Sequence, residues 1–152
     1  MSPLHLHIGA AHTSLAPAHP APQPSSMPVG WQSALAATPQ RLPSAAALEL
    51  AIMQVEDAIS ASWPQRLTLD AVSSSDPAIC QMAALCGLPP QPGSRLQRHS
   101  VESLFSRLAN AVEGGSAAGV PDNAEFIGSL LILRELLHHL DIAAITLADP
   151  AS

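Results

Sequence analysis

From residue 44 onward, apolar positions fall into helical register. Leu48, Ile52, Val55 and Ile59 recur at alternating steps of four and three, while Glu49, Gln54, Glu56 and Asp57 mostly fall elsewhere. This predicts an amphipathic helix over about 45–61, stopped by Pro64. Ser75-Asp76-Pro77 offers a cap with proline in the first turn, opening a helix over about 77–86 with Ile79, Met82, Ala83 and Cys86 inward and Gly87 as its stop. Val101, Leu104, Phe105, Leu108 and Val112 mark one face of a third helix over about 101–113, with Ser100 as the expected cap and Gly114-Gly115 after it. A fourth, over about 123–140, is apolar around more than half its circumference, which predicts a central position. Asp122 followed by Glu125 resembles a capping box at its start.

Two segments alternate instead. Residues 66–72 and 143–148 are short and carry Thr, Val and Ile, which predicts strands, and 95–98 is a third extended candidate in a loop rich in proline. The fold class expected from these elements is α+β and mostly helical: four helices against a small two- or three-stranded sheet.

Composition divides the chain near residue 43. Eight of the 15 prolines lie before that point with no Asp or Glu, so the first segment carries a formal +1 and the remainder −7, within a total of −6. A Pro/Ala/Ser-rich stretch with isolated apolar residues buries too little surface to offset its ordering entropy. Residues 1–42 are therefore expected to be a disordered tail, followed by a small helical domain over 43–152.

Charge and aromatic content then exclude partners. With no Lys, no Tyr and only four aromatics, the chain lacks the basic, stacking surface of a nucleic-acid binder. Its most apolar run, residues 126–133, is cut off by Arg134 and Glu135, well short of the roughly 20 residues of a membrane span. Histidines and Pro17 interrupt any Sec-type signal core, so a cytoplasmic location is expected, with secretion by a non-Sec route as the alternative.

Candidate chemistry is sparse. Glu135 and His138 have the Glu-x-x-His spacing of di-iron bundles, but such bundles need a second pair and two further glutamates. His138 and His139 fit a last helical turn, where imidazolium is favourable. Arg134 interrupts the most apolar helix and must either snorkel to the surface or find a carboxylate, with Asp70, Asp141 and Glu102 as candidates. His5-Leu6-His7 has the His-x-His spacing of metal-dependent hydrolases, a motif of a barrel strand in a domain near 250 residues that this chain cannot contain. His5, His7, His12 and His19 are accordingly read as incidental tail histidines. Cys80 and Cys86, six apart on one helix, are read as small apolar side chains near the core. No phosphate-binding glycine motif or nucleophile elbow is present.

These features point to a non-catalytic protein: an accessory or interaction domain with a protein partner or a second copy of itself, of a composition suited to a bacterial specialised secretion machine. No cofactor, metal or catalytic residue is expected. The alternative is a small-molecule or metal carrier using Arg134, His138 and His139.

Overall fold

The computed structural model describes residues 4–17, 25–34, 43–63, 71–89, 91–115 and 119–149. The long helices occupy the periodic segments: α2 (Ala45–Ser62), α3 (Pro77–Leu85), α4 (Arg98–Val112) and α5 (Ala124–His139), preceded by a single turn, α1 (Trp31–Ala34). Ser44 caps α2 by accepting from the Ala47 amide. Asn123, not Asp122, caps α5, its side chain accepting from the Phe126 amide at 2.8 Å. Gln97, not Ser100, stands at the N-cap position of α4.

The sheet differs from expectation. It has six strands: β1 (Leu4–Ile8), β2 (Thr13–Pro17), β3 (Ser25–Met27), β4 (Val72–Ser74), β5 (Arg95–Gln97) and β6 (Ala144–Leu147), in the order β3-β2-β1-β4-β6-β5. The architecture is thus a six-stranded mixed sheet with five helices among the described residues, and the small two- or three-stranded sheet is corrected. Of the strand expected at 66–72, residues 66–70 lie outside the described residues, and β4 begins at Val72.

The supposed disordered tail supplies three strands. Leu4, Leu6 and Ile8 alternate with His5 and His7, and Leu6 pairs with Leu15 across β1 and β2. Leu6 and Met27 are fully buried and join one continuous core with Val55, Ile79, Leu104 and Ile145. Composition measures what a segment buries alone, whereas β1 buries its apolar face by lying between β2 and β4. The histidines of the segment therefore occupy fixed places: His5 and His7 are on the strand face opposite Leu6, and His12 is in the turn before β2. His19 lies outside the described residues.

α5 is the hub. It packs against all four other helices and buries eleven residues, from Phe126 to Leu137. Gly128 makes this possible, since a Cβ there would overlap the Trp31 backbone of α1. Gly30 plays the same part on the other side of α1, pressed on the carbonyls of Gly9 and Ala10. Trp31 and Gln32 donate their amides to those carbonyls, at 2.9 and 3.0 Å. The α1 turn is thus wedged between α5 and the β1–β2 turn.

Candidate active-site cleft

β1 is flanked by antiparallel β2 on one side and parallel β4 on the other. Chain connections leave the sheet in opposite directions from this junction, and open α/β sheets bind ligands at such a point, beyond the carboxyl ends of the strands. A cleft of about 250 Å³ lies there. Its floor is the end of β1 and the following turn, His7 to Ala10. One wall is the start of α3, from Asp76 to Ala78, and the other carries Glu125 and Ser129 of α5.

The polar centre of the cleft is a pair. His7 Nδ1 lies 2.7 Å from Asp76 Oδ1, and the Ile8 amide donates to Asp76 Oδ2, also at 2.7 Å. Asp76 is itself held, its amide donating to Ser74 Oγ at the end of β4. Both carboxylate oxygens are therefore engaged, and a carboxylate acceptor selects the imidazole tautomer with hydrogen on Nδ1. Nε2 is left with its lone pair, at the edge of the ring lying over Gly9. The His7 side chain is 62 % exposed and that of Asp76 only 9 %, the arrangement of a reactive imidazole on a buried orienting acid.

Asp76 also stands at the N-cap of α3 but makes no side-chain cap bond. Pro77 has no amide hydrogen, so Ala78 and Ile79 are the amides that open α3 without an intrahelical partner. A helix N-terminus of this kind favours an anion. Cys80, one turn along, is a poor nucleophile: burial pushes its thiol up, and the Asp76 charge adds to this. Burial likewise pushes up the Cys86 thiol, against a lowering by Arg107.

The residues singled out in the sequence lie elsewhere, near the C-terminal end of α5. Arg134 places Nε 3.2 Å from both Glu102 oxygens, donates from Nη1 to Glu135 at 2.7 Å and lies 4.2 Å from the Phe105 ring centre. Among its three candidate partners, Asp141 instead meets Arg98, and Asp70 is outside the described residues. His138 bonds Glu102 Oε1, while His139 faces Glu135. Burial disfavours the Glu102 charge, yet hydrogen bonds from His138 and Arg134 outweigh it and hold the carboxyl below the usual glutamate range.

Sequence reasoning thus missed the cleft entirely. His7 was dismissed with the tail, although Leu4-His5-Leu6-His7-Ile8 followed by Gly9 is a five-residue alternation ending in a turn signal. Asp76 was read as a cap, and nothing local in the sequence shows that its carboxylate is committed to a residue 69 positions earlier.

No protein-family description matches the sequence, and no curated protein matches it. Solved structures do. The chain is similar to the Ppx/GppA enzyme of Aquifex aeolicus at 14% identity and a TM-score of 0.73, covering 98% of this chain and 54% of that one. A type II variant of the Aquifex aeolicus Ppx/GppA phosphatase gives 15% and 0.72, with 97% and 53% covered. An exopolyphosphatase from Cytophaga hutchinsonii gives 11% and 0.64, with 97% and 53% covered. The chain spans about half the length of these structures, and at such identities the likeness is one of fold alone.

This corrects the functional expectation. A non-catalytic accessory domain was inferred because no enzyme architecture was visible, and the architecture is one that phosphatases use. The carrier built on Arg134, His138 and His139 finds no support either, because Arg134 and His138 are engaged with Glu102. Among the described residues no helix is long and apolar enough to cross a membrane.

Proposed function

We propose that the cleft binds a phosphoryl group and that the chain takes part in hydrolysing phosphate esters or anhydrides, with His7 as the proton-transferring residue. The observation that carries this reading is the diversion of Asp76 from its own helix to His7. It leaves the Ala78 and Ile79 amides at the start of α3 without a side-chain cap, Ala78 on the cleft wall, and fixes an imidazole at the same end of the helix. Phosphate oxygens would accept from those amides, where the helix dipole favours negative charge. His7 Nε2 would take the proton of a water that attacks phosphorus as the leaving oxygen departs, the role of a general base. The fold supports the reaction class by analogy, since the similar structures are described as phosphatases and exopolyphosphatases.

Two measurements test it. Inorganic phosphate titrated into the labelled protein is expected to move the backbone amide signals of Ala78 and Ile79. Phosphate release from tripolyphosphate is expected to fall by about 10²- to 10⁴-fold in His7→Gln, the usual contribution of a positioned acid–base group. Amides that do not move, or equal release from the two proteins, overturn the proposal.

A further inference from the structure

Six to ten residues further along α5 than Ser129, about 9–15 Å by the helical rise, lies a second constellation separate from the cleft. Glu135 and His139 are one turn apart on α5, and Glu56 reaches them from α2, so that one ligand atom from each lies within 4.8 Å of the other two. We propose that Glu56, Glu135 and His139 form a binding site for a divalent transition ion of the zinc class, clasping α2 to the last turn of α5.

Three observations converge on a cation. The first is charge: Glu56 and Glu135 lie together, and the guanidinium bonded to Glu135, that of Arg134, is shared with Glu102. The second is contact between like groups. Glu135 is nearly fully buried, and a carboxylate oxygen of Glu56 lies within 4.8 Å of its ligand oxygen. A shared cation offsets the like-charge repulsion between carboxylates at that separation. The third is distance. His139 Nε2 stands 3.8 Å from Glu135 Oε1, too far for a hydrogen bond. Two ligands each about 2.0–2.1 Å from a tetrahedral zinc ion stand about 3.4 Å apart, so the observed gap suits a shared ion.

Arg134 does not compete for the same atom. It donates to Oε2 of Glu135, which leaves Oε1 facing His139. One imidazole and two carboxylates are ligands that suit zinc and its neighbours, and three protein ligands leave the fourth position for water. His139 is partly exposed, with 36 % of its side chain accessible, and gives the ion a route in. The Glu-x-x-His spacing had suggested Glu135 with His138, but His138 is turned to Glu102, and the i, i+4 partner His139 takes its place.

The test uses the full chain and metal alone. Cobalt(II) added to the wild-type protein is expected to give visible ligand-field bands that saturate at one equivalent, and zinc to displace them. His139→Ala and Glu56→Gln, both at accessible positions, are each expected to weaken zinc binding by at least about 100-fold, no less than the loss of an outer-shell partner costs. His7→Ala, in the separate cleft, is expected to leave the bands unchanged. Absence of bands in the wild type, retention of affinity in either ligand variant, or loss of the bands in His7→Ala overturns the site. Failure here leaves the phosphoryl cleft untouched, since no residue is shared.

Discussion

Asp76 occupies the N-cap position of α3 yet bonds His7, 69 residues earlier in the chain, through one oxygen and the Ile8 amide through the other. One carboxylate therefore joins the ends of β1 and β4 and sets the orientation of the imidazole between them. Asp76→Ala leaves the buried Ile8 amide without its acceptor, at an expected cost of about 1–3 kcal/mol in urea unfolding. It also frees the ring. Imidazole ¹⁵N shifts are expected to report the Nδ1–H tautomer in the wild type and a mixture in the variant. An unchanged tautomer in Asp76→Ala would show that the acid does not orient His7.

The N-terminal strands are core. Leu6 is fully buried between β2 and β4, so Leu6→Ala is expected to cost about 2–5 kcal/mol, the range for truncating a buried leucine. A residue of a disordered tail would give almost no change in the urea midpoint, so the experiment separates the two pictures of residues 4–17.

Gly128 tests the wedge. In most exposed helix interiors Gly→Ala gains about 1 kcal/mol, but here the added methyl meets the Trp31 backbone rather than a flexible side-chain end. Overpacking of this kind costs about 1–3 kcal/mol. Net destabilisation of Gly128→Ala is expected, together with amide shift changes at Trp31 and Gln32. A stabilised variant would mean that α1 moves away freely.

Arg134 and Glu102 give a prediction in pH. Arg134→Leu leaves the buried Glu135 without its guanidinium, and breaking a buried pair from one side costs about 3–5 kcal/mol. The partial exposure of Arg134 places the expectation at the lower end of that range. Glu102 has a lowered pKa in the folded state. Its contribution is present above the ordinary glutamate range and is lost as pH falls through the folded value. The urea stability difference between wild type and Glu102→Gln is therefore expected to be within about 1 kcal/mol at neutral pH, as for partly exposed pairs, and to vanish in acid. A difference that grows on acidification would reverse the assignment.

The long helices were legible because each repeats its apolar stripe over several turns: α4 shows Val101, Leu104, Phe105 and Leu108 on one face, all buried. Of the sheet, β5 and β6 were legible at 95–98 and 143–148, and the N-terminal strands were not, because strands of three to five residues bury their faces only in company. Alternation in Leu4-His5-Leu6-His7-Ile8 was readable, and the proline content around it outweighed it. The cleft required both lessons at once, since it joins His7 from the misread strand to an Asp76 that looked fully explained as a cap. Arg134 in an apolar helix implies either snorkelling or a carboxylate partner, and Glu102, one of the three the sequence offers, bonds it.

The parallel pairing of β1 with β4 also sets an order of events. Ile8 and Asp76 meet across a separation of 68 positions in the chain, and neither β1 nor β2 with β3 can bury its apolar face before the later half of the sheet exists. Such non-local closure slows folding relative to a helical bundle of equal size. During synthesis β1 and β2 emerge well before β4, so only α2 of the long helices can form while Leu6 and Leu15 await that partner. The interval in which these strands expose unpaired edges is thus set by the strand order, and it closes when β4 docks against β1.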